Sequence, residues 1–282
     1  MTGNLVSTDW LFEHINDPGV VPLDTSWFLP TEGGDAIANF ERAHIPRARF
    51  FDIEHICDRD DPRPHMLPDE KLFADEVGRL GISNDTFVVC YDTGGVAPAS
   101  RVWWMFRAFG HEKVAVLDGG LAKWAREGRP IVSMSAPPEP ASFKAKLDKD
   151  MVAGKDDVLK NVETGKCAVL DARGPGRFSG EEKEPRPGMK SGHIPGSKNF
   201  YYGSVFSEDG TFKSDEDLRA LMDAKGVDKG CDIITSCGSG VTAAILALVL
   251  DRLGHENVRV YDGSWAEWGC DPDTPVETGH DG

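Results

Sequence analysis

No apolar stretch of the 282-residue chain approaches the ~20 residues of a membrane-spanning helix; the longest runs only from Ala243 to Leu250. Positive charge is scarce: 31 Lys and Arg stand against 47 Asp and Glu, a formal charge of −16. Such a balance disfavours phosphate backbones and anionic lipid, so neither a nucleic-acid partner nor a membrane is expected. The six cysteines, at 57, 90, 167, 231, 237 and 270, include no CxxC pair and no Cys/His cluster at zinc spacing. A metal site or other cofactor is therefore not expected, and the spread suits reduced thiols better than a disulfide framework. The opening residues MTGNLVSTDW lack a basic-then-apolar signal pattern, so a cytoplasmic location is expected. With 40% hydrophobic and 28% charged residues, the composition is that of a globular protein rather than a disordered one.

What the chain does contain is itself, twice. VVPLDTS ending at Ser26 matches CAVLDAR ending at Arg173, and AHIPR at 43–47 matches GHIPG at 192–196. FVVCYDTGG from Phe87 matches DIITSCGSG from Asp232, and VAVLDGGLAKW matches VRVYDGSWAEW. The paired positions (Asp24 and Asp171, His44 and His193, Asp92 and Cys237, Asp118 and Asp262) stay between 144 and 149 residues apart. A tandem duplication explains that order. The boundaries read as a first domain over 1–128, a Pro- and Ala-rich linker over 129–150, and a second domain over 151–282.

Val20–Asp24, Phe87–Tyr91 and Val114–Leu117 are short β-branched runs that read as buried parallel strands. Between them, Asp69–Leu80 (after Pro68) and Ala99–Phe109 carry apolar residues at helical spacing, and Thr242–Leu253 is almost wholly apolar. Alternating strands and helices predict an α/β fold: two tandem domains, each a mainly parallel sheet flanked by helices.

Cys237 stands at the carboxyl end of a predicted strand, directly before GSG and a helix. Open α/β sheets bind ligands at that end. Gly238 and Gly240 allow backbone angles that turn successive N–H groups toward one point, and the following helix adds positive potential. A thiol held there should ionise below its free value of ~8.5, which makes it a nucleophile. The competing explanation is a small residue closing a strand.

CGSGVTA at 237–243, GHIPG at 192–196, EPRPG at 184–188 and YDGSWAEW at 261–268 resemble the rhodanese superfamily, in its tandem-domain 3-mercaptopyruvate sulfurtransferase branch. AHIP, FFDIE, PHMLP, SRVWWMFRAFGH and LDGGLAKW extend the resemblance over nearly the whole chain. It implies two rhodanese-like domains, of which only the second carries a catalytic cysteine, because Asp92 stands where Cys237 does. It further implies that Cys237 takes a sulfur atom from 3-mercaptopyruvate as a persulfide, releasing pyruvate. A thiol such as thioredoxin or a small thiol, or cyanide, then accepts the sulfur. The implied substrate-binding loop is Gly238, Gly240, Val241 and Thr242, with Ser239 bonding substrate or relaying a proton. Arg177 and Arg186 match the pair that holds the carboxylate and keto oxygen in the family, although Glu181, Glu182 or Glu184 offers either one an ordinary ion pair. Asp35 and His44 match residues proposed to assist the serine. His193 reads as a turn residue because its motif recurs in the half without a nucleophile, Arg173 beside Asp171 reads as structural, and His65 is a weaker candidate.

A phosphatase of related fold would need Arg six residues after the cysteine, where Ala243 stands. Thiosulfate sulfurtransferase activity shares the persulfide chemistry but favours cations around a dianion, and this loop is neutral. A persulfide carrier would not need two matching arginines. The thiol must also be reachable for any of these readings to hold.

Overall fold

Short β-branched runs and the amphipathic stretches between them set the architecture. The computed structural model describes residues 3–28, 33–93, 97–133, 137–228 and 230–280. The first half supplies β1 (Leu5–Val6), α1 (Thr8–His14), β2 (Val20–Asp24), α2 (Ala36–Arg42), β3 (Arg49–Phe50), α3 (Glu70–Arg79), β4 (Phe87–Tyr91), α4 (Ala97–Ala108), β5 (Val114–Leu117) and α5 (Gly120–Arg126). The second half repeats the series with β6 (Val152–Ala153), α6 (Lys155–Thr164), β7 (Cys167–Asp171), α7 (Pro175–Ser179), β8 (Lys198–Asn199), α8 (Asp215–Ala224), β9 (Asp232–Ser236), α9 (Ala243–Leu253), β10 (Val258–Tyr261) and α10 (Ser264–Trp268). The two sheets have the same order, β1-β5-β4-β2-β3 and β6-β10-β9-β7-β8, and every pairing is parallel. The expected α/β fold with two parallel sheets is what the chain forms.

Central strands read as continuous apolar runs because both of their faces are covered. Val88, Val89, Cys90 and Tyr91 of β4 are fully buried, as are Ile233 and Ile234 of β9. α9 packs on β9 and β10, and its residues from Ala243 to Leu250 are all sealed from solvent. Each leucine or isoleucine there contributes about 1.5–3 kcal/mol by burial. α3 starts where the sequence places it: the Asp69 side chain caps it by accepting from the Leu72 amide, and Phe73 and Val77 face inward. Phe73 stacks on Phe109 with centroids 4.2 Å apart, and Phe143 closes over Phe73 and Phe106.

By internal contacts the chain divides into two units. One comprises Met1–Arg59, Leu67–Leu147 and Ser207–Phe212; the other comprises Asp60–Met66, Asp148–Phe206 and Lys213–Gly282. Residues 129–147, read from sequence as linker, thus group with the first unit: Ala141 N–H donates to Gly78 O at 2.8 Å and Lys146 N–H to Phe109 O at 3.1 Å. The small exchanged segments are also bonded to their units. Asp118 Oδ1 accepts from Phe212 N–H at 2.8 Å in the first, and Arg63 ion-pairs with Asp61 and Glu267 in the second.

Candidate active site

β9 ends at Ser236 and α9 begins at Ala243, so residues 237–242 form a loop at the carboxyl end of a central parallel strand. The loop is bonded to the first turn of α10 from both sides. Ser264 Oγ accepts from the Cys237 and Gly240 amides, each at 3.1 Å, and donates to Tyr261 O at 2.7 Å. In return, the Trp265 and Ala266 amides, first donors of α10, reach Cys237 O at 3.0 Å and Gly238 O at 2.9 Å. Gly240 has φ of 74°, a left-handed value that suits glycine. The amides of Gly238, Ser239, Val241 and Thr242, and the Ser239 hydroxyl, have no partner among the described residues. Together with the start of α9 they supply unengaged donors and positive potential, as an anion-binding loop does. Cys237 itself is 2% exposed, so a donor meets only a small part of it. Cys90, deep in β4, is fully sealed, and burial pushes its thiol well above the usual range.

Two guanidinium groups stand at this loop. The Arg177 guanidinium lies against Gly238, where an added Cβ would come within 2.9 Å of its Nη2. Arg177 is held by Glu184, with Nη2 to Oε2 at 2.5 Å and Nε to Oε1 at 3.2 Å. Glu184, whose side chain is 2% exposed, also takes Arg173 Nη1 at 2.7 Å. Arg173 is buried, bonded to Asp171 through Nε and Nη2 and to Gly192 O, and stacked on Trp265 with its Cζ 4.3 Å from the ring. Burial opposes its charge, but Asp171 and then Glu184 raise its pKa overall. Arg186 differs. It is half-buried, and no hydrogen bond or close ion pair holds it among the described residues. Burial and then Arg177 pull its pKa below the ordinary value, while Cys237, Glu184 and Cys270 act the other way.

The histidines of the repeated HIP motif have matching surroundings in the two units. His44 stacks on Phe40 at 4.1 Å with Nδ1 2.6 Å from Phe40 O, and its backbone bridges Val132. His193 stacks on Phe178 at 3.8 Å with Nδ1 2.9 Å from Phe178 O, and its backbone bridges Glu277. Both are wholly buried. Asp35 caps α2, its Oδ1 accepting from Ala38 N–H at 2.9 Å, and makes no bond to His44. Within the second unit Cys237, Ser239, Gly238, Gly240 and Arg177 therefore converge on one loop, and Arg186 stands in Coulombic range of the thiol. Asp35 and His44 hold framework contacts in the first unit. His65 is 5% exposed with φ of 60° and belongs to the second unit.

Residues 7–127 and 154–270 both match the family model described as a rhodanese-like domain. The chain belongs to the rhodanese family. It is 45% identical to human 3-mercaptopyruvate sulfurtransferase over 270 residues, covering 94% of this chain and 91% of that one. It is also 45% identical to the thiosulfate sulfurtransferase of Cricetulus griseus over 287 residues, covering 99% and 96%. Among solved structures, SseA from Escherichia coli, described as a 3-mercaptopyruvate sulfotransferase with the rhodanese fold, superposes with a TM-score of 0.86 at 38% identity, covering 94% of this chain and 99% of that one. Tum1 from Saccharomyces cerevisiae gives 0.89 at 31%, covering 98% and 99%.

The two rhodanese units share backbone geometry at the position of Cys237. In the first, the Leu121 amide donates to Asp92 O at 2.9 Å, just as the Trp265 amide does to Cys237 O. Asp92 Oδ2 accepts from Ala99 N–H at 3.3 Å, so a carboxylate occupies the place of the thiol. Sequence reasoning missed Ser264. Its signal was the repeat itself: Gly120 with φ of 54° stands where Ser264 has φ of 47°, a left-handed position unusual for serine. The sequence offers Glu184 only as one of three acids that could pair with Arg177 or Arg186, not as a bridge between Arg173 and Arg177.

Proposed function

We propose that this sulfurtransferase takes sulfane sulfur from 3-mercaptopyruvate onto Cys237 and passes it to a thiol, with cyanide as a substitute acceptor. The observation that carries the reading is Arg186, a cation that no carboxylate hydrogen-bonds among the described residues, in Coulombic range of a cysteine whose loop presents unengaged amides. A guanidinium fits the planar carboxylate of an α-keto acid. The Cys237 thiolate attacks the donor sulfur and an S–S bond forms. The donor C–S bond breaks and its electron pair goes to carbon as the pyruvate enolate. The donor's thiol proton ends on that carbon, giving pyruvate and the Cys237 persulfide anion. Ser239, whose hydroxyl is unengaged two residues from the thiol, is the group we assign to relay that proton. Amides of Gly238, Val241 and Thr242 would stabilise charge on sulfur and on the enolate oxygen of the departing pyruvate. The Gly240 amide is bonded to Ser264, so the part of Gly240 is to shape the loop. In the second half-reaction an acceptor thiolate attacks the outer sulfur and returns the Cys237 thiolate. Thioredoxin or a small thiol would serve. Asp35 and His44 receive no step here.

Thiosulfate is the alternative donor, since relatives of equal identity carry that name. The neutral side chains after Cys237 favour the monoanion. Incubation with 3-mercaptopyruvate alone should add one sulfur atom to Cys237 by intact mass and release one pyruvate; Cys237→Ser should show neither. Sulfur gained by the Ser variant, or none gained by the native chain, refutes the assignment.

A further inference from the structure

The charges around the thiol loop are nearly balanced. Asp171 and Glu184 face Arg173 and Arg177, two acids against two bases, and Arg186 is left over. Glu184 produces this result. Its two oxygens engage Arg173 on one side and Arg177 on the other, in a side chain only 2% exposed. Arg173 has Asp171 as a second acid, with Nη2 to Oδ2 at 2.6 Å, whereas Arg177 has no carboxylate but Glu184 among the described residues. Removing the charge of Glu184 therefore releases Arg177, not Arg173, and does so directly over Gly238.

We infer that Glu184 sets donor selectivity: by neutralising Arg177 it leaves Arg186, among the described residues, as the one guanidinium of the three without an ion pair, which fits a monocarboxylate thiol and disfavours a dianion such as thiosulfate. The inference rests on the persulfide reading of Cys237 and concerns which donor charge the site accepts. Specificity of this kind is a difference between two affinities, and one counter-charge changes that difference without touching the reacting atoms. Glu184 is a positioning residue in this account. It holds Arg177 and meets neither donor nor sulfur.

The test compares kcat/KM for 3-mercaptopyruvate and thiosulfate in the native chain and in Glu184→Gln, with the Cys237 persulfide followed by mass. Glutamine keeps the shape and one acceptor oxygen, and both donors are assayed on one preparation, so a lower folded fraction cancels from their ratio. The expected result is a shift of the ratio toward thiosulfate by at least about fivefold, a modest effect for one unpaired cation near a partly buried anion. Adding Arg177→Ala to Glu184→Gln should return the ratio toward the native value. An unchanged ratio, or a gain that survives Arg177→Ala, overturns the inference while persulfide formation in the native chain leaves the sulfurtransferase reading standing. A native chain that forms no persulfide from either donor defeats that reading instead. Should Glu184→Gln fail to fold, Arg186→Ala and Arg177→Ala decide: Arg186→Ala must raise KM for 3-mercaptopyruvate more, and the reverse order overturns the inference.

Discussion

Replacing Ser264 separates two effects that coincide in one residue. Its hydroxyl joins two buried amides and one carbonyl, and its backbone lies at φ of 47°. Ser264→Ala removes the hydroxyl and keeps the Cβ. The Cys237 and Gly240 amides and Tyr261 O each lose this hydrogen bond, and at about 1–3 kcal/mol per buried bond lost, partly relieved by relaxation, the cost is about 2–4 kcal/mol. Ser264→Gly loses the same bonds but removes the left-handed penalty of about 1 kcal/mol that any residue with a Cβ bears. The first unit already carries glycine there, as Gly120 at φ of 54°. The glycine variant should therefore be about 1 kcal/mol less destabilised than the alanine variant, read from urea unfolding followed by the fluorescence of buried Trp265 and Trp268. Both should slow persulfide formation, because the loop keeps its two bonds from the α10 amides but loses those to the Ser264 hydroxyl. Equal or reversed stabilities would refute the strain reasoning, and two neutral variants would refute the role given to the hydroxyl.

Arg186→Ala should raise KM for 3-mercaptopyruvate about tenfold or more while alkylation of Cys237 proceeds as before, since it removes a charge-assisted bond and not the thiol; an unchanged KM removes its carboxylate role. Ser239→Ala should fold normally and turn over more slowly, and an unaffected kcat would return Ser239 to the status of a loop residue. Glu127 is held down at about 2 by its hydrogen bonds to Lys123 first and then to Thr8, with Arg129 adding to them. Because its folded pKa is depressed, its contribution to the first unit is complete above the ordinary carboxylate range and fades as pH falls toward about 2. Glu127→Gln should flatten the acid side of the stability profile between those limits, and an unaltered profile would show that the cluster contributes nothing.

The duplication was readable because most landmarks stand at or just after strand ends, where the same turn recurs in both halves. Asp24 and Asp171 each accept the amide two residues on, at 2.9 Å, in Ser26 and Arg173. The helices over 69–80 and 242–253 were readable from apolar spacing, and their observed ends differ by a residue or so because caps fray. Edge strands such as β1 and β8 were not, since two residues carry no periodicity. At the site, Cys237 was legible from its neighbours in sequence. Its supports were not: Glu184 joins Arg173 and Arg177 only once α7 and the following loop have folded, and Ser264 is 27 residues from Cys237. The degree to which the thiol is covered, 2% exposed, had no sequence signal at all.

Arg63 originates in the first repeat yet pairs with Glu267 on α10, the helix whose first amides hold the carbonyls of Cys237 and Gly238. Separating the chain at the repeat boundary would thus cut through the second compact unit. A fragment beginning after residue 147 would lack that cation and the whole Asp60–Met66 segment. The boundary of the compact unit and the boundary of the repeat are therefore not the same place in the chain.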